Sequence, residues 1–183
     1  LKPDLLVLLV DRFEIFSAAS VATILKIPIA HLHGGETTEG AFDESFRHSI
    51  TKMSHLHFVS MLDYRHRVIQ LGEYPDRVFN VGAIGIDNIK RLSLLSRKDT
   101  EESIGFSLGK RNLLITFHPV TLEKSTSKEQ FSNLLGALEE LEKTNLFFTK
   151  TNADTDSRVI NKMIDKYVKN HSDKAIAYTS LGQ

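Results

Sequence analysis

Short apolar runs alternate with amphipathic segments along the chain. The apolar runs are too short for helices and rich in Val, Ile and Leu, so they predict strands. These strands lie at Leu5–Val10, Ile27–Leu32, Leu56–Ser60, Arg77–Val81, Asn112–Phe117, Asn145–Thr149 and Lys174–Tyr178. Helical spacing predicts helices at Phe13–Lys26, Asp43–Met53, Asp63–Leu71, Lys128–Lys143 and Asp156–Asn170. Alternation of this kind implies right-handed crossovers and therefore a parallel α/β sheet.

The stretch Leu92–Asn112 interrupts this rhythm. It is polar and holds Gly105 and Gly109 near its end. We place a domain junction there or slightly before, near Gly82–Asn88, and predict two α/β halves with a cleft between them. Because a parallel sheet needs helices on both faces, a chain that ends on a strand is expected to be an internal segment of a longer enzyme.

Composition narrows the class of protein. The chain has 183 residues with 23 basic and 23 acidic side chains, so it lacks the basic excess that is typical of nucleic-acid binders. It has no cysteine, which excludes disulfides and thiolate metal sites. The apolar run Leu5–Val10 is too short to span a bilayer, and Asp4 interrupts any signal-peptide pattern. A cytoplasmic location is the default expectation.

Polar residues that directly follow the strands carry the functional information, because ligands of open α/β sheets bind beyond the carboxyl ends of the strands. The first such pair is Asp11-Arg12. The N-terminal dipole of the following helix favours an anion at this place. The pair is therefore either part of a ligand site or an Asp N-cap followed by an exposed Arg.

The segment His31-Leu32-His33-Gly34-Gly35-Glu36 is a stronger signal. His31 and His33 alternate at the end of a strand and are predicted to point to one face. The glycine pair allows a tight turn or a close approach to a ligand, and Glu36 follows at once. The alternatives are that His33 and Glu36 bind zinc, although their spacing matches no compact zinc motif, or that they belong to a surface turn.

Two acids, Asp43 and Glu44, open the next predicted helix. Asp43 is expected to cap its N-terminus, and ion pairs are expected between Asp43 and Arg47 and between Glu44 and His48. The alternative is that this helix presents a carboxylate to the cleft, opposite the acids of the two preceding segments. Acids in such proximity shift one another's pKa values, which separates a general acid from a general base.

In the second half, His118 follows a strand, and Pro119 fixes the turn after it. A histidine at this position is suited to contact a phosphate. The segment Thr149–Asp154, which includes Asn152, occupies the equivalent place after the next strand. Its side chains either hydrogen-bond a nucleotide or belong to a solvated loop.

Several of these segments, in this order, closely resemble the bacterial hydrolysing UDP-N-acetylglucosamine 2-epimerases of the sialic and legionaminic acid pathways. The resemblance spans essentially the whole chain, and its specific motif is Gly-Gly-Glu followed by Arg-His-Ser-Ile-Thr-Lys. The matching segments are Asp11–Glu14, His31–Glu36, Asp43–Lys52, Val81–Asn88 and Phe117–Thr121.

The resemblance implies an α/β fold of the glycosyltransferase-B type, with two Rossmann-like domains that this chain covers only in part. Residues 1–88 would form the C-terminal part of the first domain with the interdomain turn, and residues 89–183 the N-terminal part of the second. It also implies conversion of UDP-N-acetylglucosamine to N-acetylmannosamine and UDP through a glycal, without a metal or cofactor. The expected partners are the UDP-sugar and further copies of the chain, with no nucleic acid and no membrane.

The resemblance also assigns the site residues. Asp11 and Asp43 match the family's catalytic acids, and Glu36, Glu44 and His33 are expected to assist them. The residues expected to bind substrate are Arg12, Arg47, His48, His118 and Asn152.

Two positions depart from the family pattern. Several family members have an acid where this chain has His33, and Ile84 replaces a common Pro. The alternatives for function are the same reaction on UDP-N,N'-diacetylbacillosamine, a glycosyltransferase of the same fold, or a non-catalytic nucleotide-binding module. Retention of the acids argues against the last of these.

Overall fold

The computed structural model describes residues 3–120, 126–152 and 156–181. The chain divides into two compact units, and the division lies between Leu92 and Ser93. The assignment of residues 1–88 and 89–183 to the end of one Rossmann-like domain and the start of another stays a prediction.

The first unit contains a parallel sheet whose strands follow chain order. The strands are β1 (Leu6–Leu9), β2 (Ile29–Leu32), β3 (Leu56–Val59) and β4 (Val78–Asn80). The helices are α1 (Phe13–Ile24), α2 (Asp43–Met53), α3 (Leu62–Gln70) and α4 (Ile84–Arg91), with a 3-10 turn at Pro75–Arg77. Leu9 pairs with Leu32, which in turn pairs with Phe58. The carboxyl ends of the first three strands therefore lie along one edge of the sheet.

Small side chains allow α1 to pack closely in this unit. Ala19 and Ala22 of α1 are buried with Ile29 of β2 and Ile50 of α2. Full burial of each isoleucine contributes roughly 1.5–3 kcal/mol to the free energy of unfolding. The core thus fixes α2, the helix that carries Asp43 and Glu44, against β2 and α1.

The second unit repeats the strand and helix alternation. Its parallel strands are β5 (Arg111–Thr116), β6 (Thr144–Thr149) and β7 (Ala175–Tyr178). Its helices are α5 (Arg97–Ile104), α6 (Ser127–Glu139) and α7 (Ser157–Asn170). Phe131, Phe148 and Ile160 form the centre of its hydrophobic core.

The predicted strands and the parallel sheets are confirmed, but two helices were missed. Helix α4 begins at Ile84, where a turn was expected. Helix α5 lies in the stretch that was predicted to be irregular, because its polar composition hides any apolar period. A local signal was present, since Ser96 caps α5 by accepting from the Asp99 N–H, and Gly105 ends it with a φ of 66°.

Helices α1 and α6 end earlier than predicted, without a glycine at the end. Lys26 and Lys143 adopt φ values of 57° and 51° beyond these two helices. The Ile27 N–H donates to the Ala22 carbonyl over 2.9 Å, which is a Schellman-type closure. Within the described ranges, each helix is too short or too polar to cross a lipid bilayer.

Candidate active site

Asp11 leaves the sheet through a strained turn at the end of β1. Val10, the residue between β1 and Asp11, has a φ of 64°. A residue with a branched Cβ reaches this left-handed region only at a cost of roughly 1–3 kcal/mol. The Val10 N–H still donates to the Leu32 carbonyl over 3.1 Å, so the turn begins while the chain is bonded to β2. Asp11 is thereby placed at the carboxyl edge of the sheet.

A buried arginine of α2, Arg47, ties Asp11 to the loop after β2. Its side chain is 6% exposed and forms an ion pair with the Asp11 carboxylate. The guanidinium also donates to the Glu36 carbonyl over 2.8 Å and to the Thr38 hydroxyl over 3.0 Å. Arg47 thus pairs with Asp11. Helical spacing had instead predicted a pair with Asp43, four residues earlier. All of these contacts join Arg47 to other groups of the protein. A direct contact between Arg47 and the substrate stays a prediction.

The environment of Asp11 disfavours its ionised form. Burial raises the pKa of the Asp11 carboxyl, and the positive charge of Arg47 only partly opposes that rise. The neighbouring charges of Asp43 and Glu36 raise the pKa further. The prediction that these acids influence one another is therefore confirmed for Asp11. A carboxylate with a raised pKa is a stronger base, which suits proton transfer near neutral pH.

The Glu36 carboxylate accepts two hydrogen bonds through one oxygen. The Ser60 hydroxyl donates over 2.8 Å, and His33 Nδ1 lies at 2.7 Å. Because a carboxylate oxygen accepts, His33 Nδ1 is the donor in this bond. His33 itself has a φ of 63° and lies beyond β2. The prediction that His33 shares a strand face with His31 is therefore wrong.

The two glycines before Glu36 are required by contacts within the protein. Gly35 has a φ of 79°, and a Cβ there would lie 2.5 Å from the Tyr64 carbonyl oxygen of α3. The Arg67 guanidinium donates to the Gly35 carbonyl. The tight turn predicted for this pair is confirmed, and the close approach is made by α3.

The first turn of α2 differs from the prediction. Phe42 occupies the N-cap position with helical dihedral angles, so the prediction that Asp43 caps the helix is wrong. The Glu44 carboxylate instead accepts from the Thr38 N–H over 3.1 Å. Its other oxygen lies 3.5 Å from His48 Nε2, which confirms the predicted pair. Asp43 is left as a first-turn carboxylate whose charge acts on Asp11.

The remaining residue predicted at the end of β1, Arg12, lies at the N-cap position of α1. Its guanidinium donates to both carboxylate oxygens of Glu14, over 3.1 and 3.2 Å. These bonds lower the pKa of the Glu14 carboxyl. The alternative of an Asp N-cap is therefore wrong, because Arg12 and not Asp11 occupies that position, and the Arg12 side chain is 32% exposed.

In the second unit, the carboxyl ends of β5 and β6 lie side by side. The Thr116 and Thr149 hydroxyls are 2.7 Å apart, and both His118 and Asn152 are exposed just beyond them. Asn161 of α7 fastens the loop after β6 by accepting from the Thr151 N–H over 3.0 Å. Of the predicted segments, residues 121, 153 and 154 lie outside the described ranges.

The zinc alternative for His33 and Glu36 gains no further ligand. In the part of the chain that the structure describes, no three His, Asp or Glu side chains are grouped so as to hold a metal ion.

Ser60, which donates to Glu36, was not singled out from the sequence as a residue of the site. Ser60 was assigned to a strand, yet it directly follows β3. The rule that polar residues after strands face ligands would have found it. Thr38, which contacts both Arg47 and Glu44, lies in the polar loop that the sequence placed after β2, although no individual role was assigned to it.

Comparison with known proteins identifies the family. The family described as UDP-N-acetylglucosamine 2-epimerase matches residues 1–183. The chain is 46% identical to the GDP/UDP-N,N'-diacetylbacillosamine 2-epimerase (hydrolyzing) of Campylobacter jejuni, over 100% of this chain and 47% of the relative. It is 43% identical to the polysialic acid biosynthesis protein P7 of Escherichia coli, over 92% and 43% of the two chains.

The fold has solved counterparts. The crystal structure of UDP-GlcNAc 2-epimerase from Neisseria meningitidis bound to UDP-GlcNAc superimposes with a TM-score of 0.72 at 17% identity, over 97% of this chain and 49% of the other. The expected glycosyltransferase-B-type α/β fold is thereby confirmed. The chain spans about half the length of the curated relatives it matches. It belongs to the UDP-N-acetylglucosamine 2-epimerase family.

Proposed function

We propose that the protein is a hydrolysing 2-epimerase that acts on a UDP-linked 2-acetamido sugar. A carboxylate takes the proton from C2. The bond from C1 to the UDP oxygen breaks at the same time, and the electron pair of that bond leaves with UDP. The C1–C2 double bond of a glycal results. Water then supplies a hydroxyl to C1, and a proton returns to C2 from the opposite face. The net reaction consumes one water and yields UDP and the sugar inverted at C2.

The observation that carries this proposal is the group of acids at the carboxyl edge of the first sheet. Asp11 has a raised pKa, and the Asp43 and Glu36 charges both act on it. The reaction needs one carboxylate to accept the C2 proton and another group to return one. A set of interacting acids in one polar site supports that chemistry, and Arg47 keeps Asp11 in place from the protein side.

We assign recognition of UDP to the second unit. His118 and Asn152 are exposed beyond β5 and β6, the edge at which open α/β sheets bind ligands. A histidine donates hydrogen bonds to phosphate oxygens, and an asparagine both donates and accepts. Self-association, which we also expect, is measured independently by sedimentation of the full-length protein.

The first prediction concerns His118. His118→Ala in the full-length protein should raise KM for the donor and Kd for UDP together, with a smaller effect on kcat, because a contact with the diphosphate acts in the ground state. Titration calorimetry with UDP measures the change directly. The control is His66→Ala, which removes an exposed histidine from α3. Equal UDP affinity together with a collapsed kcat would place His118 in the chemistry instead.

The sugar itself has two candidates. Our sequence-based expectation is UDP-N-acetylglucosamine, which is also the ligand named for the Neisseria meningitidis structure. UDP-N,N'-diacetylbacillosamine is the second candidate, because the Campylobacter jejuni relative at 46% identity is named for it.

The second prediction is that the full-length protein, given either donor without an acceptor, releases UDP together with the sugar inverted at C2. The ratio of kcat/KM for the two donors identifies the substrate. UDP release that requires an added acceptor would instead support a glycosyltransferase of the same fold.

A further inference from the structure

The backbone before Asp11 is held in a conformation that its sequence disfavours. Val10 has a φ of 64°, and a residue with a branched Cβ occupies this region only where the surroundings enforce it. Asp11 follows directly, so the dihedral angles of Val10 set the direction in which the Asp11 side chain leaves the sheet. Strain of this kind next to a carboxylate of the site suggests a functional constraint.

A buried histidine of β2 holds the carbonyl of this strained residue. The His31 side chain is fully buried, and its Nε2 lies 2.9 Å from the Val10 carbonyl oxygen. Because a carbonyl oxygen only accepts, His31 Nε2 carries the proton and donates it. On the other side of the ring, Nδ1 lies 3.1 Å from the hydroxyl of Thr51, which is also fully buried.

The protonation state of His31 fixes the direction of both bonds. Burial lowers the pKa of His31 to about 4, so the ring is neutral near pH 7 and has one proton, on Nε2. Nδ1 is then an acceptor, and the Thr51 hydroxyl donates to it. The chain of donors therefore runs from Thr51 of α2 through His31 of β2 to the Val10 carbonyl.

Thr51, the first donor of this chain, lies on α2, the helix that also carries Arg47. Thr51 lies one turn after Arg47 on α2, since residues four apart share a helix face. Arg47 contacts the Asp11 carboxylate, while Thr51 acts through His31 on the carbonyl just before Asp11.

The glycine motif leaves room for this link. A Cβ added at Gly34 would lie 3.1 Å from both His31 Nδ1 and the Thr51 hydroxyl oxygen. Such a contact is closer than ordinary van der Waals packing, so a side chain there would push the two groups apart.

We propose that Thr51 and His31 are positioning residues, which hold Val10 in the left-handed region and thereby aim the Asp11 carboxylate. This inference rests on the proposed function, because the reaction is where the aim of Asp11 matters. Thr51 and His31 act through Val10 and Asp11, and their burial keeps them away from the substrate.

The test compares Thr51→Val, which keeps the shape but removes the donor, with Thr51→Ser, which keeps the hydroxyl. In the full-length protein, Thr51→Val should lower kcat for UDP release roughly 10- to 100-fold, as expected for a misplaced catalytic group. KM should stay within about twofold, and Thr51→Ser should recover most of kcat. Thr23→Val, which removes a helical threonine hydroxyl from α1, should leave kcat unchanged.

The same comparison in a Val10→Gly protein separates an effect on the direction of the Asp11 side chain from a general effect on packing. Glycine enters the left-handed region without strain, so Val10→Gly removes the need for an external hold. In that background, Thr51→Val should cost kcat less than about threefold. An equal loss of kcat in both backgrounds, or no loss in either, would overturn the proposal.

A readout without substrate keeps this inference apart from the proposed function. The Asp11 carboxyl carbon can be titrated by 13C NMR, and its midpoint depends on Arg47, Asp43 and Glu36 around it. Thr51→Val should move that midpoint, and Gly34→Ala should move it too, which serves if the first variant does not fold. An unchanged midpoint of the Asp11 titration would overturn the proposal that Thr51 and His31 position Asp11. If the wild-type protein releases no UDP but the Asp11 midpoint still moves in these variants, the proposed function fails. The positioning role of Thr51 and His31 then stands.

Discussion

Replacing Asp43 with Asn is expected to lower the rate of UDP release ~10²–10⁴-fold while UDP binding stays nearly unchanged, because a general acid or base acts mainly in the transition state. The structure removes the simplest competing role, since Phe42 and not Asp43 occupies the N-cap of α2. The change also removes a negative charge that raises the pKa of Asp11, so the Asp11 carboxyl of the variant should titrate at lower pH.

The control for Asp43→Asn is Asp63→Asn, which removes the corresponding first-turn charge from α3. Either change should lower the free energy of unfolding by about 0.3–1 kcal/mol through the helix dipole. Only the Asp43 variant should lose activity. A loss of activity below about tenfold would leave Asp43 with a purely electrostatic role in α2.

Replacing Arg47 with Met is expected to remove both stability and activity. The side chain is 6% exposed and pairs with Asp11, and breaking a buried pair costs about 3–5 kcal/mol of the free energy of unfolding. Activity should fall with it, because the Glu36 carbonyl and the Thr38 hydroxyl lose the same donor. Chemical denaturation and initial rates of UDP release measure the two losses.

The Arg47→Met variant should also respond to pH in a defined direction. Arg47 is the largest of the influences that lower the pKa of Asp11, so its loss should let burial, Asp43 and Glu36 raise that pKa further. A raised folded-state pKa contributes stability below the unfolded value, near pH 3.9, and that contribution is lost as pH rises through the folded value. The stability deficit should therefore shrink toward acid pH, and the limb of the pH–rate profile that belongs to Asp11 should move to higher pH.

Two further variants make the outcome decisive. Arg47→Lys keeps the charge but lacks the planar fork, so it should restore the pH limb without restoring the full rate. Arg65→Met is the matched control, because Arg65 donates to the backbone of Val78 and Pro75. An Arg47→Met variant with wild-type stability and an unmoved pH profile would show that the contacts of Arg47 affect neither stability nor the pKa of Asp11.

The sequence predicted the parts of this protein that depend on local period. Strands such as Ile27–Leu32 stood out because each is a short run of Val, Ile or Leu, and the carboxyl-edge rule then selected Asp11 and Glu36. The Glu44 and His48 pair was also accessible, since helical spacing alone brings the two side chains together.

The missed features depend on contacts that are distant in sequence. Asp11 and Arg47 are 36 residues apart, and only the packing of α2 on the sheet brings them together. The left-handed Val10 and His33 carry no glycine or asparagine signal, so the alternation expected for a strand was extended one residue too far. The expected pair between Asp43 and Arg47 was missed for the same reason, because the burial of Arg47 beside Asp11 is a tertiary property.

Turnover of the donor in D2O tests the central claim most directly. Full-length protein incubated with UDP-N-acetylglucosamine or UDP-N,N'-diacetylbacillosamine, with no acceptor, should release UDP and a sugar inverted at C2. Because the proton returned to C2 comes from solvent, that sugar should carry one deuterium at C2, read by NMR and mass spectrometry. Release of UDP with the C2 proton retained and the configuration unchanged, for both donors, would contradict proton transfer by the Asp11, Glu36 and Asp43 group.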